Sequence, residues 1–358
     1  MRHLILLTII MMLSGCGLGA NILDDVDLMQ AIAYDMAKDN QIEGTAMIPV
    51  YSEQQTGQFD VHAATGHTSK YIRSKASGEA PKPIVSGQLR VALYGEELAR
   101  KGISDIVDTL YRDASIGNTT QLAVVEGKAA PVVKEKYNPN TNPAMYISNL
   151  LEQNIKNENV PKNNLHVFLY KYFSEGGDPY LPLLSRNKSE VRIIGMALFK
   201  GDKYIEKISL EEMFVFKMLV EGYKKGTYEF KLEDKNSYAV VENIVAKTDY
   251  KFKGKTSKPT LHISIEMDGQ IKELTERQNL QEKKAVRKIQ ADMEKSMEKQ
   301  GRAMIEKFQE IEIDPFSIGE RYKKFNRYST KEEWKNIYKD LDVDLQVQVH
   351  ILQSGVVE

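Results

Sequence analysis

The sequence predicts an α+β fold: three small domains, each a mostly antiparallel or mixed sheet with packed helices, behind a lipidated N-terminal tether. Three observations carry this. Leu261, Ile263, Ile265 and Met267 alternate strictly with polar residues, and Val343, Leu345, Val347, Val349 and Ile351 do the same near the C-terminus. Such alternation marks strands with one face buried and the other in water. Between them, residues 274–309 read as one long charged helix whose apolar stripe includes Val286, Ile289, Met293, Met297, Met304 and Phe308. At the other end, an export-type leader runs up to the only cysteine of the chain.

The leader begins Met1-Arg2-His3, is apolar over residues 4–13, and continues Leu13-Ser14-Gly15-Cys16. Its apolar run is too short to span a bilayer, which takes roughly 20 residues. Residues 1–15 are read as a lipoprotein signal peptide, with Leu13, Ser14 and Gly15 as the lipobox and Cys16 as the lipidation site. Cleavage before Cys16 and transfer of diacylglycerol to its sulfur would leave two acyl chains, each buried methylene contributing about 0.8 kcal/mol. The alternative is an ordinary signal peptide with an accidental cysteine, which leaves the lone thiol unexplained. A single cysteine forms no internal disulfide. Residues 16–27, small and then acidic, read as a tether.

Residues 28–187 read as an N-terminal α/β domain. Short apolar runs at 28–34 and 44–51 suit strands, whereas 54–83, rich in Gly, Ser, Thr and Lys, has weak periodicity and reads as a loop or irregular edge. Leu89, Val91 and Leu93 alternate as a strand; 95–100 suits a short helix; Ile103, Ile106, Val107 and Leu110 recur at helical spacing; 121–126 is another strand. Pro143 opens a helix, and Leu165, Phe168, Leu169, Tyr172 and Phe173 form one apolar face of the next, which Gly176-Gly177 ends. Asp178-Pro179-Tyr180-Leu181-Pro182 is stiff and extended, because a proline disfavours helix at the residue before it.

Residues 188–240 read as a middle sheet-plus-helix domain: a strand at 193–199, a turn at Gly201-Asp202, a returning strand at 204–208, then a helix through Leu219 behind a Ser209/Glu212 capping box. Residues 241–358 read as a C-terminal domain with an antiparallel sheet and the long helix. There Asp268-Gly269 is a hairpin-turn signal, and Thr330 with Glu333 forms a capping box before Trp334.

The chemistry is sparse. A formal net charge of -1 gives no global basic field to recruit nucleic acid. Beyond His3, the histidines are His62, His67, His166, His262 and His350, with no pair at a metal-binding helical spacing. His262 and His350 sit on polar faces of predicted strands; if those strands pair, the imidazoles are neighbours that respond to mild acid. The plainer reading is two solvated histidines. The methionine stripe is read as the core face of its helix rather than an adaptable partner surface. Glu96-Glu97 and Asp24-Asp25 are read as solvated charges. The chain lacks a Gly-x-Ser-x-Gly elbow, a Walker lysine and His-Glu-x-x-His. It reads as an anchored binding or assembly protein, with no catalytic residue, cofactor or metal assigned, and not as an enzyme.

Six segments in order carry a resemblance: residues 87–103 with Arg112-Asp113; Gly127-Lys128-Ala129; Asp178-Pro179-Tyr180-Leu181-Pro182; Gly195-Met196-Ala197-Leu198-Phe199-Lys200; Asp314-Pro315-Phe316-Ser317-Ile318-Gly319; and Trp334 with the final strand ending at Gly355. Together, behind a lipobox, they resemble the Ger(x)C family, the C-subunit lipoproteins of nutrient germinant receptors of spore-forming bacteria, over nearly the whole mature chain. The resemblance implies a subunit on the outer face of the spore inner membrane, held by diacylglycerol on Cys16 and working with integral membrane subunits of the receptor. It carries over no catalytic residue, and it does not say whether this subunit touches nutrient. One departure stands out. The family usually follows its lipidated cysteine with Trp-Asp, where this chain has Gly17-Leu18. The alternative function is a substrate-binding lipoprotein of an import system, a class expected to show two similar lobes around a cleft.

Overall fold

Short runs of apolar residues, several of them buried on both sides, build the first large sheet. In the computed structural model the described residues are 25–50, 57–137, 140–188, 190–232, 237–275, 282–327 and 329–354. The strands of this sheet are β2 (Ala31–Met36), β3 (Ile42–Pro49), β4 (Phe59–Gly66), β6 (Val91–Gly95), β7 (Gln121–Val125), β8 (Tyr180–Asn187), β9 (Glu190–Lys200) and β10 (Lys203–Ser209). They lie in the order β10-β9-β8-β7-β6-β2-β3-β4. The centre, β2-β6-β7-β8, is parallel, and antiparallel hairpins extend it on both sides. Parallel neighbours require crossovers. Here these are α1 (Ser69–Gly78), then α2 (Glu96–Lys101) with α3 (Ser104–Arg112), then α4 (Ala130–Lys134), α5 (Pro143–Lys156) and α6 (Leu165–Phe173). A two-stranded parallel sheet, β1 (Asp27–Leu28) with β5 (Ile84–Val85), sits beside it.

Helices cover both faces, which is why β6 is buried throughout its length. Tyr34, Tyr94 and Val124 pack with residues of α2, α3 and α6 on one face. Ala33, Leu93 and Val125 face the other way, toward α4 and α5. That second core runs on without a break through α7 (Leu210–Glu221) into the second large sheet. The Ser209/Glu212 capping box at the start of α7 is present on both sides of its exchange.

The second large sheet has the order β11-β12-β13-β14: β11 (Tyr223–Lys231), β12 (Tyr238–Lys255), β13 (Lys258–Leu274) and β14 (Asp342–Ser354). Between β13 and β14 run α8 (Lys283–Glu310), α9 (Ile318–Phe325) and α10 (Lys331–Lys339), the last opened by the Thr330/Glu333 capping box. Helix α8 buries Ile289, Met293, Met297, Met304 and Phe308, so the methionine stripe is core. Its polar residues Gln290, Glu294, Glu298 and Arg302, spaced one turn apart, reach the outer edge of β14. Gln290 donates to Val349 O (2.6 Å), Val349 N donates to Glu294 (2.8 Å) and Val347 N to Glu298 (2.9 Å), and Arg302 donates to the carbonyls of Val343 and Leu345. Among the described residues, no helix is long and apolar enough to cross a membrane.

The α+β class with three sheets holds, and several local expectations change. Residues 59–66 and 69–78 form a strand and a helix in place of the expected loop. Their buried positions are Ala64, Gly66, Ser69, Ile72 and Ala76, mostly small residues that give almost no hydrophobic rhythm. The boundary expected at 187/188 falls in the turn of the β8–β9 hairpin, where the sheet continues across it. The one expected at 240/241 falls inside β12, which pairs with β11. Asp268-Gly269 lies within β13 rather than in a turn. A Cβ on Gly269 would lie 2.5 Å from Val241 Cγ1, so glycine there serves close strand approach. The last pair, β13–β14, is parallel instead of antiparallel, because the α8–α10 connection returns the chain to the end where β13 began. The long helix, expected from residue 274, is described from Lys283, and Leu274 instead ends β13.

Candidate functional site: the junction between the sheets

The predicted lipobox Leu13, Ser14 and Gly15, the predicted lipidation site Cys16, and Gly17-Leu18 all lie outside the described residues. Within them, the densest buried polar chemistry lies where two of the singled-out segments meet. Asp178-Pro179-Tyr180 enters β8, and Asp314-Pro315-Phe316 leads into α9. Asp178 N donates to Asp314 O (2.8 Å), and Asp314 N donates back to the Asp178 carboxylate (2.8 Å), whose other oxygen accepts from Gly201 N (3.0 Å). The Asp314 carboxylate accepts from the N–H groups of Ile318 (2.9 Å) and Gly319 (2.7 Å) at the start of α9, where helical N–H groups lack intrahelical partners.

Lys171, from the buried face of α6, completes the cluster. Its ammonium donates to Pro315 O and Ser317 Oγ, both at 3.0 Å, and stands 4.9 Å from the Tyr180 ring centroid. Burial pushes this ammonium down to about 8, against the pull of Asp314 and Glu320. Burial pushes the Asp314 carboxyl up to about 7, the two backbone donors opposing and the Asp178 charge adding to the rise. Asp178 is itself raised by burial, against its backbone donors from Gly201 and Asp314. The backbones cross at two glycines: a Cβ on Gly176 would come within 2.3 Å of the Gly319 carbonyl carbon. Tyr180 and Phe316 both pack on Phe216 of α7, with centroids 5.5 and 5.6 Å away. A cavity of about 540 Å³ opens beside the cluster, lined by Tyr172, Lys200, Lys331 and Trp334 among others.

The arrangement ties the first sheet, through β8 and the β9–β10 turn, to the connection between α8 and α9. Sequence reading singles out both segments but gives Asp178, Asp314 and Lys171 no role. The available signal is the repeated Asp-Pro-aromatic triplet.

Two other segments form a second knot. Asp35, buried, accepts from the N–H groups of Ala129 and Ala130, each at 2.7 Å, and so clamps the Gly127-Lys128-Ala129 turn. Burial raises its carboxyl against those donors. Glu96 N donates to Gly127 O (2.9 Å), while the Glu96 carboxylate pairs with Arg100 (2.8 Å) and accepts from Gly127 N (3.4 Å). Glu96 is thus a bonded residue rather than a solvated charge.

The histidines separate. His262 pairs with Asp344 at 3.1 Å, whereas His350 stands opposite Asp268, six positions further along the parallel pair. Parallel register keeps the two imidazoles apart. Among the described residues, no group of three or more His, Cys, Asp or Glu is placed to hold a metal ion.

Comparison with known proteins adds family-level information. Residues 19–186 match the family model described as "Spore germination protein N-terminal domain", and residues 194–355 match "Spore germination B3/GerAC like, C-terminal". The chain is 34% identical to the spore germination protein GerQC of Bacillus cereus over 358 residues, covering 100% of this chain and 99% of that one. It is 24% identical to the putative spore germination protein YfkR of Bacillus subtilis (strain 168), covering 98% and 95%. Its fold is similar to the crystal structure of the GerBC protein, with a TM-score of 0.58 at 19% identity over 90% of this chain and 96% of that one.

Proposed function

The chain belongs to the Ger(x)C family of spore germination proteins, and on that premise we propose that it is the lipid-anchored C subunit of a nutrient germinant receptor. It works on the outer face of the spore inner membrane with integral membrane subunits, and its part is assembly and coupling rather than catalysis. The observation carrying this reading is the full-length match to a germination protein together with the leader that ends Leu13-Ser14-Gly15-Cys16. The two large sheets, eight-stranded and four-stranded, are unlike each other, which disfavours the paired lobes of an import-system binding protein.

Two tests bear on different parts of the proposal. In a strain lacking paralogous receptors, deleting the gene should abolish germination on one nutrient set and leave vegetative growth intact; normal germination on every nutrient tested sinks the receptor role. Cys16→Ala should leave the protein unlipidated and deplete it from the spore membrane fraction, because the two acyl chains supply the hold. Unchanged mass and unchanged membrane retention would refute the anchor while leaving the receptor role standing.

A further inference from the structure

The β12–β13 hairpin is longer than its neighbours. Strand β11 pairs with β12 only as far as Ala246, and β14 first meets β13 at Thr260, so the tip projects beyond both. Residues 250–265 contain Lys251, Lys253, Lys255 and Lys258 and no carboxylate. Helix α9 packs against the base of this tip. Phe325 stacks on Phe252 (centroids 5.6 Å apart), Arg321 lies 4.1 Å from the Tyr250 ring centroid, and Tyr322 Oη donates to Thr256 O (2.7 Å). Residues 321–327 add Arg321, Lys323, Lys324 and Arg327, again without a carboxylate. Eight cations with no intervening acid thus meet at one end of a chain whose totals are 49 basic and 50 acidic residues.

Neighbouring acids neutralise only part of this. Asp249 pairs with Lys251 (2.7 Å), Glu175 pairs with Lys323, and Asp342 lies 3.5 Å from Thr260 Oγ1. Among the described residues, Lys253, Lys255, Lys258 and Lys324 are exposed and have no carboxylate partner. Beside them Phe325 is 36% exposed.

We propose that the β12–β13 tip and α9 form a docking surface for an anionic phospholipid bilayer. A convex tip of flexible lysines beside an exposed aromatic ring meets a flat, negatively charged plane. Long lysine stems reach headgroup phosphates while the ring enters the interface. A nucleic acid would favour a basic stripe or groove long enough to follow its backbone, which two short segments at a tip do not provide. The inference goes beyond the lipid anchor. Acyl chains hold the protein to any bilayer, whereas this surface selects charge and orients the C-terminal sheet toward the membrane.

The test uses residues 16–358 with Cys16→Ser, which removes the anchor and the leader and keeps every described element. Binding to vesicles of phosphatidylcholine alone is compared with vesicles containing phosphatidylglycerol. The chain should sediment with the anionic vesicles only, and salt should release it as the Debye length shrinks. Lys253→Gln, Lys255→Gln and Lys258→Gln combined should weaken partitioning on the order of 100-fold, at about five-fold per lysine. Lys283→Gln with Lys284→Gln, at the start of α8 and the opposite end of the sheet, should leave it unchanged. Equal binding to both vesicle types, or binding insensitive to the triple substitution, would overturn the proposal. So would capture of an acidic polypeptide or duplex DNA without vesicle binding.

Discussion

Asp314→Ala is expected to destabilise the chain by about 3–5 kcal/mol, the range for leaving a buried charge without its partner. The substitution removes the acceptor for two N–H groups at the start of α9 and strips Lys171 of its strongest opposing charge. Chemical denaturation at neutral pH measures the loss. Adding Lys171→Met should recover part of it, because the uncompensated ammonium is then gone. Asp249→Ala serves as the control. Asp249 is exposed and pairs with Lys251 in water, so its removal should change stability by less than about 1 kcal/mol. The pH dependence follows from the same carboxyl. Folded, Asp314 holds its proton to about 7; unfolded, it releases it at the ordinary value of 3.8. The folded chain therefore binds more protons between those values, and the stability this provides below pH 4 is lost as pH rises toward 7. The wild-type denaturation midpoint should fall more steeply from pH 4.5 to 7 than that of Asp314→Ala. Equal slopes would exclude Asp314 as the titrating group.

Gly195→Ala should be comparably damaging, at about 3 kcal/mol or more, for a purely steric reason. Gly195 sits at φ +150, and a Cβ there would lie 1.9 Å from the carbonyl oxygen of Ile208 on the adjacent strand β10. The register also slips between Leu183 and Leu184 where β8 passes it. Nothing flexible can move aside, since the obstacle is backbone. Gly78→Ala gives the opposite outcome. That glycine ends α1, and a Cβ added to it would meet nothing within 4 Å. Alanine there should be neutral or stabilise by up to about 1 kcal/mol through the unfolded state. Midpoints from thermal or chemical unfolding of the two variants should move in different directions; similar destabilisation by both would defeat the steric argument.

Legibility in the sequence follows the strength of local pattern. The capping boxes at Ser209 and Thr330, the α8 stripe and the alternation in β13 and β14 can be read because each is a local code, most of them written in large apolar residues. Strand β12 escapes such reading because its alternation changes phase. Ala239 and Val241 point inward, then Asn243 at φ +53 forms a bulge, after which Ile244 and Ala246 are the buried positions. Parallel or antiparallel pairing of β14 cannot be read from alternation, which is identical in both. The junction is hidden for another reason: Asp178 and Asp314 are 136 residues apart. Each segment is visible as a stiff Asp-Pro-aromatic stretch, but only the fold brings the carboxyls together, and only burial gives them unusual proton affinity.

The side chains that α8 lays along β14 have a consequence for encounters between copies of the chain. An open outer strand would be a template on which neighbouring molecules could polymerise. Gln290, Glu294, Glu298 and Arg302 already engage the carbonyls of Val343, Leu345 and Val349 and the N–H groups of Val347 and Val349 along that strand. The long helix thereby shields this edge of the four-stranded sheet from pairing with a second copy of the chain.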